Sequence, residues 1–167
     1  MKTIVCVDRE WGIGSANDLL YNIPEDMKFF REKTLDKVVV MGLATLKSFP
    51  GENPLKRRVN IVLCDDPAFE KEGVTICASI DEVLETVKQY DSDSVYIIGG
   101  ASVYAQMLPY CDTAYITKVD CAKPADKYFP NLDEMPEWEC VYEGEEKEYG
   151  ELKFRFTEYK KLSEIKE

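Results

Sequence analysis

Histidine is absent from this chain. That removes every mechanism built on a Ser–His or Cys–His pair and every histidine-held metal. Acid–base work therefore falls to a carboxylate, Tyr, Lys, Cys or water. Cysteine is present but scattered, at Cys6, Cys64, Cys77, Cys111, Cys121 and Cys140. No two have CxxC or metal-knuckle spacing, which excludes zinc-ribbon and thioredoxin-like readings. Cys6 and Cys64 lie in apolar runs and read as buried, inert thiols. Long hydrophobic runs are also missing. No stretch approaches the ~20 apolar residues of a membrane span, and the first residues, MKTIVCVDRE, pass from a short apolar run straight into charge, unlike a leader. A cytoplasmic protein with reduced thiols is the expectation. Positive charge is scarce too: 21 Lys and Arg against 32 Asp and Glu leave a net charge of −11. Nucleic acid and anionic membrane surfaces, which reward cations, are disfavoured as partners.

What is present fits one domain over residues 1–167, with the last few residues expected to fray. Hydrophobic residues make up 45% of the 167, enough to bury a core without disulfides or metals. Runs rich in Val, Ile and Leu occur at Thr3–Val7, Val38–Met41, Val59–Leu63, Val95–Ile98 and Ala114–Val119. Their continuity predicts strands covered on both faces. Helical patterns lie between them. Pro24 opens one, with Glu25 and Asp26 in its first turn and Met27 and Phe30 on one face. Ser79-Ile-Asp-Glu82 reads as a capping box before another. A third spans about Ser102 to Leu108 and stops at Pro109. Near the C-terminus, Leu152, Phe154 and Phe156 alternate with polar residues, an antiparallel signature. Trp138–Tyr142 is its expected partner, across an acidic turn at Glu143–Gly150. The fold class is α/β: a central, mostly parallel sheet with an antiparallel C-terminal edge hairpin and helices on both faces.

Three constellations carry chemistry. Trp11-Gly-Ile-Gly-Ser-Ala-Asn17 is a glycine-containing loop leaving the first strand. Ile97-Ile-Gly-Gly100-Ala is a buried strand ending in paired glycines and running into a helix, the place where open α/β sheets bind ligands. Asp26 sits in the first turn of its helix, where an acid ordinarily serves the helix dipole. Its position beside Met27 and before Phe30 instead suits recognition of an amidine-like edge by paired hydrogen bonds. Burial would raise its pKa and the helix N-terminus would lower it, two opposed effects.

In this order, the three resemble the dihydrofolate reductase family. Ile4-Val-Cys-Val-Asp-Arg-Glu-Trp-Gly-Ile-Gly14 is similar to its first strand and active-site loop, and Asn22-Ile-Pro-Glu-Asp-Met27, with Phe30 and Thr34, to its acid-bearing helix. Val38–Gly42, Arg58–Leu63, Val95–Ala101, Val103-Tyr104 and Ile116-Thr117 continue the match, over roughly Thr3 to Tyr159. The resemblance implies hydride transfer from NADPH to carbon 6 of 7,8-dihydrofolate, with protonation at nitrogen 5. It assigns Asp26, Tyr21 and Thr117 to catalysis: Asp26 grips the pterin, Thr117 helps it, and Tyr21 stands where the family has a water-holding Trp. Ile4, Val5, Met27, Phe30, Phe49, Leu55 and Ile98 would wall the substrate, and Arg58 would pair with its glutamate carboxylate. Cys6, Ile13, Gly14, Asn17 and Leu19 would line the nicotinamide pocket, with Gly99, Gly100, Ala101, Val103 and Tyr104 beside it. Gly42 and Thr45 would meet the pyrophosphate, with Leu63 and Gln106 flanking the adenosine. Trp11–Asn22 would be a mobile lid. Antifolate inhibitors are implied ligands, and a monomer is expected.

Two departures from the family pattern stand out. Leu20 and Tyr21 replace Pro and Trp. Where the family grips a 2′-phosphate with basic and hydroxyl groups, this chain has Leu43, Cys64-Asp65, Ala78 and Ser102. No Lys or Arg is among them, and Asp65 adds negative charge, so relaxed or NADH-leaning cofactor use is expected. Two rival readings share these features: a pyrimidine reductase of the riboflavin pathway, which shares the fold, and a paralogue that binds nucleotide or pterin without turnover.

Overall fold

A computed structural model of the chain describes residues 1–16 and 18–162. In chain order the elements are β1 (Lys2–Val7), β2 (Gly12–Ser15), β3 (Asp18–Leu19), α1 (Pro24–Thr34), β4 (Val38–Gly42), α2 (Leu43–Ser48), β5 (Val59–Leu63) and β6 (Val74–Cys77). They continue with α3 (Ile80–Val87), β7 (Val95–Gly99), α4 (Ala101–Met107), β8 (Thr113–Val119), β9 (Lys127–Tyr128), β10 (Trp138–Glu143), β11 (Lys147–Tyr149) and β12 (Leu152–Lys161). Within the described residues, one nine-stranded sheet takes the order β10-β12-β8-β1-β7-β4-β5-β6, with β11 beside β12. The strands from β8 to β6 pair in parallel, and β12 joins β8 and β10 antiparallel.

The apolar runs are covered on both sides, as their continuity requires. Ile4, Met41, Leu46, Val62, Tyr96 and Ile98 pack with Phe29 and Phe30 on the face that carries α1 and α2. Val5, Val40, Ile97, Val83, Val103 and Met107 pack on the face of α3 and α4. From β4 the chain steps outward to β5 and β6; from β7 it steps the other way, past β1 to β8. The direction reverses between β4 and β7, so their carboxyl ends, Gly42 and Gly99, flank the crevice such a reversal opens.

Several local expectations are corrected. The Glu143–Gly150 segment is not a plain turn: Lys147–Tyr149 forms β11 and pairs with Leu152–Phe154. The glycine loop after β1 is itself a strand in a small β3-β2-β9 sheet. The α-helix before Pro109 ends at Met107, as that stop requires, but a 3-10 turn at Leu108–Tyr110 follows it, where the missing N–H of Pro109 is harmless. At α3 the Ser79 hydroxyl accepts from Glu82 N–H at 3.2 Å, but the Glu82 carboxylate accepts from Ala78 N–H at 2.6 Å rather than from Ser79. Met27 is exposed, while Phe29 and Phe30 pack against the core. Among the described residues, no helix is long and apolar enough to cross a membrane.

Candidate active site

Asp26 enters the site because Pro24 sets the start of α1, leaving the acid in its first turn over the carboxyl end of β1 and β8. Parallel pairing puts Cys6 opposite Thr117, so both side chains rise on the α1 face. The Thr117 hydroxyl donates to Asp26 Oδ1 at 2.6 Å across 91 residues of chain. Thr117 is itself only 2% exposed, which fixes the donor. Burial pushes the Asp26 carboxyl above its ordinary value, and the Thr117 hydrogen bond pulls part of the way back. Burial therefore outweighs the Thr117 hydrogen bond. Glu25, the preceding residue, faces solvent and sits 3.7 Å from Lys147.

An apolar wall stands beside this acid. Ile4 and Ile98 are buried in one cluster, and Phe30, Phe49, Leu55 and Leu43 pack against it. Val5 is not part of it. Side chains alternate along a strand, so Val5 points to the other face, among Ile13, Val103 and Tyr104. Its side chain cannot line a cleft on the Asp26 face, which corrects that part of the sequence reading. At the far end of the wall, Arg58 Nε donates to Thr34 Oγ1 at 3.0 Å and Nη1 to the Lys56 carbonyl at 3.0 Å. Neither partner is a carboxylate. Burial and the neighbouring Arg31 lower the Arg58 pKa, the state of a cation whose charge is incompletely answered. Thr34 is fully buried and accepts this guanidinium while donating to the Phe30 carbonyl at 2.8 Å, so α1 positions both ends of the wall.

Cys6 lies between the acid and the crevice. Burial, with Asp26 and Asp8 nearby, raises its thiol well above the ordinary value of 9.0, so it stays protonated and inert. The crevice floor is glycine. Gly99 has φ +120° and joins Gly100 through a cis peptide. A Cβ on Gly99 would meet the Tyr104 ring at 3.1 Å, and one on Gly42 would meet Val103 Cγ2 at 3.2 Å. A Cβ on Gly100 would lie 3.8 Å from Thr45 Oγ1. Bare backbone from two strands thus faces the hydroxyl of α2, a cradle that fits close approach of a pyrophosphate or planar ring. Ala101 opens α4 directly after it. The Tyr104 hydroxyl donates to the Ile4 carbonyl at 2.8 Å, tying α4 to β1 beneath the cradle.

Beyond the cradle lies a cleft of about 530 Å³, lined by Leu43, Leu63, Cys64, Asp65, Ala78, Ser79, Ile80, Asp81 and Gln106. Gln106 is held by Ser102, its amide donating to the serine hydroxyl at 2.8 Å. The lid segment is docked: Asp126 N–H donates to the Gly14 carbonyl at 3.0 Å, and Ala16 N–H to Asp126 Oδ2 at 3.1 Å. Ile13 is buried, whereas Leu19 is 70% exposed and lines nothing in this arrangement. Asn17 lies outside the described residues, as does the expected frayed tail beyond Leu162.

Sequence reasoning missed Asp8. It is 3% exposed and takes four donors: Glu10 and Gly12 N–H at 2.9 Å, the Tyr21 hydroxyl at 3.2 Å and Lys123 N–H at 3.3 Å. It closes the lid's root against the loop after β8. An acid ending a β run just before a glycine loop was the signal available.

The dihydrofolate reductase family model matches residues 1–161. The chain belongs to the dihydrofolate reductase family. It is 32% identical over 165 residues to the dihydrofolate reductase of Bacillus subtilis (strain 168), covering 98% of this chain and 95% of that one. It is 35% identical over 131 residues to the enzyme of Haemophilus influenzae, 78% of each chain. Among solved structures it is similar to a dihydrofolate reductase from Enterococcus faecalis complexed with NADP(H) and RAB-propyl. That match has TM-score 0.85 and 30% identity, and covers 97% of this chain and 96% of that one. The enzyme is thus a reductase of dihydrofolate, and neither the riboflavin-pathway nor the binding-only reading is needed.

Proposed function

We propose that Asp26, held by Thr117, grips the amidine-like edge of the pterin and supports protonation at nitrogen 5. When bound, a reduced nicotinamide, NADPH by family precedent, supplies the hydride to carbon 6. The glycine cradle of Gly42, Gly99 and Gly100 with Thr45 suits its pyrophosphate and ring, and Cys6, Ile13, Gly14 and Tyr104 border the same crevice. The raised pKa of Asp26 lets the site hold a proton nearer neutrality than an exposed carboxyl does. Ile4, Ile98, Phe30, Phe49 and Leu55 exclude water from the reacting edge, and exposed Met27 stands at the cleft mouth. Arg58, oriented by Thr34, takes the substrate's terminal carboxylate, a task matched to the guanidinium fork. Tyr21 is assigned to the lid rather than to water at the pterin, because its hydroxyl is committed to Asp8. Bound antifolates would share the Asp26 contact.

The observation that carries this reading is the Thr117–Asp26 hydrogen bond at one end of an apolar wall whose other end holds Arg58. The test is loss of nicotinamide absorbance on mixing the protein with dihydrofolate. Turnover in the wild type that Asp26→Asn abolishes supports it; equal turnover in both overturns the role of Asp26.

A further inference from the structure

The cleft at the carboxyl ends of β5 and β6 is lined by Asp65 and Asp81 and by no Lys or Arg. Leu43 and Leu63 give it an apolar side, suited to a purine, and Gln106 adds an amide. It opens where the glycine cradle ends, since Leu43 follows Gly42 directly. One of its backbone donors is already used. The Ala78 N–H, which could otherwise meet an anion, is taken by the Glu82 carboxylate at 2.6 Å. Glu82 thus caps the start of α3 and adds a third carboxylate beside the cleft. A phosphate monoester, with about −1.5 to −2 charges, would enter a pocket with two carboxylates and no cation to meet it. A ribose diol, by contrast, finds acceptors for both hydroxyls.

We infer that this cleft takes the adenosine half of the cofactor and selects a free 2′-hydroxyl over a 2′-phosphate, so that Asp65, Asp81 and Glu82 are specificity-determining residues that admit NADH. This rests on the reading of the crevice as the nicotinamide cofactor site. An acid near the ribose is the general device for that choice in α/β sheets. The three act by different means: Asp65 and Asp81 by charge at the cleft wall, and Glu82 by withdrawing the backbone donor of Ala78.

The experiment is calorimetric binding of two fragments, ADP-ribose and its 2′-phosphorylated form, to the whole protein at low salt, beside steady-state kinetics with NADH and NADPH. ADP-ribose is expected to bind at least as tightly as the phosphorylated fragment. In Asp65→Asn and Asp81→Asn the affinity ratio of ADP-ribose to the phosphorylated fragment should fall about three- to tenfold, because the phosphate loses a repelling charge and the diol loses a charged acceptor. A wild-type preference of tenfold or more for the phosphorylated fragment overturns the inference, as does an unchanged ratio in both variants. Failure of the underlying function is distinguishable: there, neither NADH nor NADPH supports reduction of dihydrofolate, whatever the fragments do.

Discussion

The Tyr21 hydroxyl donates to Asp8 Oδ2 at 3.2 Å, with both side chains buried. This joins the far end of the lid to the residue that anchors its root through Gly12 and Glu10. The Lys123 ammonium sits 4.7 Å over the Tyr21 ring and donates to the Leu20 carbonyl at 3.4 Å, closing the same corner. Tyr21→Phe keeps the ring and the cation contact and removes one of four donors to Asp8. It should cost about 0.5–1.5 kcal/mol. Asp8→Ala strands several donors at once and should cost about 3 kcal/mol or more. Urea unfolding of both variants checks the order; equal costs would contradict it.

Asp26→Asn should lower turnover by about two orders of magnitude or more while making the ligand-free protein more stable at neutral pH. The sign follows from the raised pKa. An unfolded Asp26 titrates near 3.8, whereas the folded carboxyl titrates higher. Between those values the folded state holds the extra proton, so stability falls as pH rises through that window and the deficit persists above it. Asparagine has no such window and can still accept from Thr117. Thermal melts of both proteins from pH 4 to pH 8 should therefore diverge as pH rises, with the variant higher.

Turnover should share that pH dependence. The rate of the chemical step should fall as pH rises above the raised pKa of Asp26, because the protonated site becomes scarcer. Single-turnover rates against pH test this, and Asp26→Asn should flatten the profile.

Arg58→Gln should raise KM for dihydrofolate about ten- to hundredfold and leave kcat nearly unchanged, the loss of a charge-assisted pair made equally in ground and transition states. A pterin substrate lacking the glutamate should be reduced equally well by both proteins. Arg58→Lys should not restore KM, because an ammonium cannot keep the Thr34 contact and a two-point grip together.

Gly99→Ala should destabilise by about 1–3 kcal/mol. The position has φ +120°, and the added methyl would meet the Tyr104 ring at 3.1 Å, a ring that cannot give way without losing its bond to the Ile4 carbonyl. The same change at Gly150, with φ +60° and no atom within 4 Å of an added Cβ, should cost less. Denaturation midpoints compare the two directly.

The sequence by itself determined what depends on neighbours along the chain. Continuous Val-Ile-Leu runs forced buried strands, Pro24 and Ser79 set helix starts, and the order of the acid helix, paired glycines and strand pairs marked the family and the crevice. It also determined that Asp26 was the acid to watch, because no histidine could take the task. Tertiary structure decided everything that turns on which atom a side chain meets. Thr117 reaches Asp26 across 91 residues because α1 packs over the face of β8 on which Thr117, register partner of Cys6 on β1, rises. Alternation along β1 sent Val5 to the opposite layer. Asp8 became a hub and Tyr21 its donor only once the loop after β8 folded back on the lid. The raised pKa of Asp26 was decided in the same way, since desolvation depends on how much of the chain is packed around a charge, and no local pattern encodes that.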